Sequence, residues 1–212
     1  MSDMTYEFED RQQKLEKYEW DNVWWEHAST TGVPRVLYIG DSISYSTRRV
    51  ATATAERKIF FDGFGTSKAL DNPYYTATLH LFAQQQGERK VVLFNNGLHG
   101  WHLDDATDYA KEYEKMLCFL LKEFEGTPIV LLLTTHVANE ERDARVRARN
   151  RVGCELAEKY GLSVIDLYTV TKEHSDLLGN DGVHFSKEGW QLLADVLVYK
   201  VKEIIEQGDI TR

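Results

Sequence analysis

The chain has 212 residues, 25 of them Lys or Arg and 34 Asp or Glu, giving a formal net charge of −9. Its 42% hydrophobic and 28% charged residues are those of a globular domain, and three prolines exclude a Pro-rich linker. The acidic balance argues against a general nucleic-acid or anionic-membrane surface, and two cysteines (Cys118, Cys154) without a CxxC pair argue against a disulfide framework or a structural zinc.

The N-terminal stretch MSDMTYEFEDRQQKLEKYEW is charged and lacks the apolar core of a secretory signal. No apolar run approaches the roughly 20 residues of a membrane span, so a cytoplasmic protein is expected. A helix is predicted over about Tyr6–Trp25, its Trp20, Trp24 and Trp25 packing on the domain as part of a helical extension spanning residues 1–33. Five β-rich runs follow, at Arg35–Ile39, Lys58–Phe61, Lys90–Phe94, Ile129–Leu133 and Leu162–Leu167. Their near-continuous hydrophobicity is what a parallel sheet buried on both faces demands. Amphipathic stretches at Asp104–Phe124, Asn139–Tyr160 and Ser186–Glu206 alternate with them. In the last, Trp190, Leu193, Ala194, Leu197 and Val201 recur at helical spacing. The alternation predicts one doubly wound α/β domain over residues 1–212, with a five-stranded parallel sheet and an extra N-terminal helix.

Ligands of open α/β sheets bind outside the carboxyl ends of the strands. The segments there are GDSIS, DGFGTSK, NNGLHGWH, TTHVANE and YTVTKEH, rich in Gly, Ser, Asn and His. The first strand runs directly into Gly40-Asp41-Ser42. A serine opening a helix after a sharp turn exposes its hydroxyl beside free backbone N–H groups, although Ser42 would also serve as a plain helix cap. Near the other end, Asp181 and His184 stand three residues apart in a Gly-containing loop before the last helix. That spacing lets a carboxylate orient one imidazole nitrogen while the other takes a proton from a serine hydroxyl. The bland alternative is a turn with an exposed histidine and a Ser186 cap. An early Ser and a late DxxH at strand ends of one sheet favour catalysis.

With GDS at Gly40–Ser42 and DxxH at Asp181–His184, the sequence resembles the SGNH (GDSL-type) hydrolase superfamily from Arg35 to about Ile205. The resemblance implies a flavodoxin-like three-layer α/β/α fold, no cofactor, and hydrolysis of esters or related acyl groups. It makes Ser42 the nucleophile, His184 the general base and then acid, and Asp181 the group orienting it. It also implies an oxyanion-hole glycine after the second strand, Gly65 with Gly63 as alternative, beside the Ser42 N–H; either glycine would also suit a plain turn. The family's Gly-x-Asn-Asp block is replaced by Asn95-Asn96-Gly97-Leu98-His99-Gly100, which resembles a subgroup with N-x-G-L-H there. Asn95 is the favoured side-chain donor, His99 the alternative; Asp41, Gly63, Asn96 and His99 are candidates for the pocket.

His102, His136 and His174 follow strands but lack a ligand pattern, so no metal is expected. Five arginines between Arg142 and Arg151 read as a solvated helix face, one of them a candidate for reaching an anionic substrate. Trp101, Tyr74 and Tyr75 are candidates for stacking on sugar rings, or for the core. The expected activity is a serine esterase acting through an acyl-enzyme on short acyl groups, including O-acetyl groups of a carbohydrate. Its expected partner is a small-molecule ester, with neither nucleic acid nor membrane. Two other readings share the fold: a non-catalytic module holding a carbohydrate or small acylated ligand, and a nucleotide or flavin binder.

Overall fold

A computed structural model describes residues 14–103 and 105–210. Six strands form one sheet in the order β1-β3-β2-β4-β5-β6. They are β1 Asp21–Trp24, β2 Arg35–Gly40, β3 Phe60–Thr66, β4 Val91–Phe94, β5 Ile129–Leu132 and β6 Ser163–Ile165. β2 to β6 pair in parallel, and β1 adds antiparallel to the outer edge of β3. The helices are α1 Ser42–Thr54, α2 Tyr75–Gln86, α3 Ala106–Glu123, α4 Glu140–Tyr160, α5 Leu167–Glu173 and α6 Lys187–Ile210.

Side chains alternate across each strand, and the two sets found two cores. Leu37, Ile39, Phe64, Val92, Phe94 and Leu131 point to a layer built from α2, α3 and α4. Val36, Tyr38, Phe61, Val91, Leu93, Val130 and Leu132 point the other way, against α1, α5 and α6. This is the expected three-layer α/β/α sandwich, its central strands apolar on both faces because both are covered.

The differences lie at the edges. The sheet has six strands rather than five. The part of the expected N-terminal helix before residue 14 lies outside the described residues, and from there to Trp25 the chain forms the short strand β1 instead of a helix. Tertiary partners override the helical pattern: the Lys68 ammonium grips Asp21 at 2.6 Å, Arg48 donates to the Asn22 backbone and side chain, and Glu26 N–H donates to Asp62. At the far end of β2, buried Arg35 pairs with buried Asp62 at 3.0 Å and donates to the carbonyls of Glu26, His27 and Thr30, tying the N-terminal segment to the sheet. β6 stops at Ile165 because Asp166 caps α5, accepting from Thr169 N–H at 2.9 Å. Cys118 and Cys154 are free and exposed on α3 and α4. Among the described residues, no helix is long and apolar enough to cross a membrane.

Candidate active site

β2 ends at Gly40, and Asp41 caps α1 by accepting from Ile43 N–H at 2.9 Å. Ser42 is therefore the first residue of the helix, where its own N–H has no acceptor within the helix and the dipole favours negative charge. At the other end of the chain, Asp181, Gly182, Val183 and His184 form a closed turn. Gly179 N–H donates to His184 O at 2.6 Å, Ser186 N–H donates to Leu177 O, and Leu178 bridges Phe185.

This turn brings His184 Nε2 to 2.8 Å from Ser42 Oγ, across 142 residues of sequence. His184 Nδ1 lies 2.7 Å from Asp181 Oδ2, while Asp181 Oδ1 accepts the N–H groups of Val183 and His184, each at 2.9 Å. Burial acts to raise the Asp181 carboxyl, but these hydrogen bonds and the adjacent imidazole outweigh it and hold the group below its ordinary value. An ionised carboxylate only accepts, so Nδ1 carries the imidazole proton and the Nε2 lone pair faces the serine hydroxyl. The three side chains thus have the connectivity a proton-abstracting triad needs.

The expected oxyanion donors are placed differently. Gly63 and Gly65 sit inside β3, paired with Tyr38 and Gly40 of β2 and with Trp24 and Asn22 of β1, not in a loop beyond the strand. Gly63 is required for packing: a Cβ there would stand 2.3 Å from Arg48 Cδ, so its absence lets that arginine lie across the strand. The Asn95 amide donates to Leu132 O at 2.6 Å and to Thr134 Oγ1 at 3.0 Å. Both its hydrogens thereby tie β4 to β5. Asn96, buried, donates to Lys68 O at 3.0 Å. His99 turns away from solvent: Nδ1 lies 2.8 Å from Glu16 Oε1, with both side chains 6% exposed and the Trp20 ring edge-on to the imidazole. Gly97, at φ +63°, lets the loop after β4 close on the serine turn, since a Cβ there would lie 1.7 Å from Asp41 Oδ2.

Several supporting residues were not singled out from the sequence. Two arginines of α4 depart from the expected solvated face, while Arg151 is exposed and Arg147 pairs with Glu140 and Asp143 as such a face would. Arg149, 5% exposed, donates to the carbonyls of Gly97, His99, Gly100 and Leu103, and Arg145 also donates to Gly100 O. They hold the loop after β4 by its backbone. The signal was present, because Arg149 falls on the same helical stripe as Val146, Gly153 and Leu156. Asn150 likewise pins the loop after β5, exchanging hydrogen bonds with Thr134 N–H and O. Asp143, fully buried at the start of α4, accepts from Tyr168 O–H at 2.8 Å and from Arg147, with His136 Nδ1 2.7 Å away. Two residues on, Ala138 N–H donates to Gly182 O at 2.8 Å, so this network braces the Asp181–His184 turn from behind.

Of the three aromatics that were candidates for sugar stacking or for the core, Trp101 and Tyr75 are core residues, 2% and 0% exposed, and Tyr74 is exposed. A cavity of about 520 Å³ borders Asp181 rather than Ser42, and Trp101, Tyr109, Asn139, Arg142 and Arg145 are among its lining residues. Among the described residues, no group of three or more His, Cys, Asp or Glu side chains is arranged to hold a metal ion.

No known family model matches the sequence, and no curated protein does. Solved structures do match in three dimensions. An acetyl xylan esterase, AlAXEase, superposes with a TM-score of 0.63 at 18% identity over 79% of this chain and 99% of its own. A member of the lipolytic protein G-D-S-L family from Veillonella parvula gives 0.62 at 17% identity, over 79% and 97%. The C-terminal catalytic domain of Streptococcus pneumoniae peptidoglycan O-acetyltransferase A gives 0.64 at 20% identity, over 82% and 96%. At such identities the likeness is one of fold, and the chain accordingly has the α/β/α fold of GDSL-type acylhydrolases and acetyl esterases.

Proposed function

We propose that the chain is a serine esterase that cleaves short acyl esters, O-acetylated carbohydrates included, through an acyl-enzyme. The observation that carries this is the unbroken line Ser42–His184–Asp181, with contacts of 2.8 and 2.7 Å. Ser42 Oγ attacks the ester carbonyl as His184 Nε2 takes its proton, and Asp181 stabilises the imidazolium that forms. The Ser42 N–H, at the positive end of α1, faces the developing oxyanion, and one such donor is worth about 3 kcal/mol of barrier. Asn95 joins it by releasing Thr134 Oγ1. His184 then protonates the departing alcohol, and in the second half it activates the water that releases the acid.

The fold neighbours support the acyl chemistry, since their names describe acetyl xylan esterase and O-acetyltransferase activities. The test is hydrolysis of p-nitrophenyl acetate by the wild-type protein and by Ser42→Ala. The wild type is expected to turn the ester over and the variant to lose nearly all of that rate. Equal rates would place the chemistry elsewhere.

A further inference from the structure

The serine turn continues into an exposed surface that the core does not explain. On α1, side chains three and four residues apart share a face, which puts Ser42, Tyr45 and Arg49 on one stripe, about 10 Å long from the helical rise. Tyr45 is 50% exposed. Beside this stripe runs β1, whose Trp24 is 39% exposed. Between the two rings lies Arg48, itself 1% exposed, its guanidinium carbon 5.3 Å from the Tyr45 ring and 5.8 Å from the Trp24 ring. Its N–H groups are anchored on Asn22 O and Oδ1. The indole is fixed further by donation from Nε1 to Glu26 Oε2 at 2.8 Å, and the Arg49 guanidinium lies 4.9 Å from its ring.

We propose that Tyr45 and Trp24 form a platform for the sugar rings of an acylated oligosaccharide whose ester lies at Ser42, an inference that rests on the esterase reading. Large aromatics usually bury their rings. Here two rings stay in solvent yet are held by a clamped guanidinium and an indole hydrogen bond, so binding a flat partner costs little ordering. The apolar face of a pyranose matches such a ring, while Arg49 and Glu26 supply polar groups for hydroxyls. A lipid chain would instead need a continuous apolar floor, which the charged groups interrupt. The stripe begins at the nucleophile and is long enough for more than one ring, so the occupant is a chain of sugars.

The test compares kcat/KM for O-acetylated cellotetraose with that for O-acetylated glucose. The wild type is expected to prefer the tetrasaccharide by about tenfold, through KM, and Tyr45→Ala or Trp24→Ala to bring that ratio toward one. Tyr45 sits on an exposed helix face, so its variant keeps the test valid if loss of Trp24 unsettles β1. A wild-type enzyme that hydrolyses p-nitrophenyl acetate but shows no preference for the tetrasaccharide overturns the platform and leaves the esterase reading standing. If the ester is not hydrolysed at all, that reading fails, and calorimetric titration with cellotetraose decides the platform. Binding weakened by Tyr45→Ala sustains it, and no binding overturns it. A wild-type dimer in sedimentation that Trp24→Ala dissociates assigns the surface to self-association and also overturns the proposal.

Discussion

Two carboxylate–histidine pairs stand at neighbouring strand ends with the same 2.7 Å contact, yet they are built for different tasks. In the first, Asp181 and His184 are about 42% and 35% exposed at the side chain, and the imidazole's Nε2 meets Ser42. In the second, Asp143 is completely buried, shared among His136, Tyr168, Arg147 and the Val137 N–H, and its loop meets the first pair through the Ala138–Gly182 hydrogen bond and the apolar contact cluster of Val137 and Val183. A half-exposed carboxylate that is held by its own turn and orients an imidazole toward a hydroxyl is suited to proton transfer. One saturated with donors inside the protein is suited to holding a loop. The carboxylate contact alone does not distinguish them; the serine hydroxyl at His184 Nε2 and the burial of Asp143 do.

The sharpest way to break this comparison is to remove each member in turn. His184→Gln removes the base and is expected to lower kcat/KM by about 10⁴-fold or more, measured on p-nitrophenyl acetate. Asp181→Asn leaves the turn's geometry but favours the wrong tautomer, so kcat should fall by about 10³- to 10⁴-fold with little change in melting temperature. Asp143→Asn should reverse that pattern. It strips charge from a buried acceptor of several donors and should destabilise the fold by about 1–3 kcal/mol in denaturant unfolding. The folded fraction should retain activity to within about tenfold, because Asp143 touches neither Ser42, His184 nor Asp181 and the backbone and apolar contacts between the two loops remain. If Asp143→Asn silences the enzyme as thoroughly as Asp181→Asn without loss of stability, the division of labour drawn here is wrong.

The smallest expected effect is on acid stability. Burial acts to raise Asp143 as it does Asp181, but hydrogen bonds from Tyr168, His136 and Val137 outweigh it, and both carboxyls are held below their ordinary value. Groups depressed in the folded state bind protons more readily when unfolded. Their contribution to stability is therefore complete above the ordinary carboxylate value, about 4, and is lost as the pH falls below it. Melting temperature should be flat from neutral pH down to about 5 and decline below about 4, less steeply in Asp143→Asn.

The parallel sheet was legible because β2, β4 and β5 are apolar on both faces, a pattern few other structures need. The serine turn and the DxxH turn were legible because short spacing fixes local geometry. What was not legible depends on long-range contacts. Residues 21–24 form a strand because β3 offers an open edge and Lys68 and Arg48 offer partners. Gly63 follows from the Arg48 side chain packed over it, 15 residues before it in sequence. The resting partners of the Asn95 amide, Leu132 O and Thr134 Oγ1, lie across the strand ends, where no local pattern in the sequence announces them. Whether Trp101, Tyr74 and Tyr75 belong to the core or to the surface was open for the same reason: Trp101 and Tyr75 are buried, Trp101 against Arg145, and Tyr74 is exposed.

The central claim is that Ser42 is a nucleophile activated by His184, and covalent capture tests it most directly. A fluorophosphonate probe incubated with the pure protein, followed by peptide mapping in a mass spectrometer, should place the adduct on Ser42 in the wild type and yield little or none in His184→Gln. No adduct, an adduct on another serine, or labelling of Ser42 that is undiminished in His184→Gln would contradict the account.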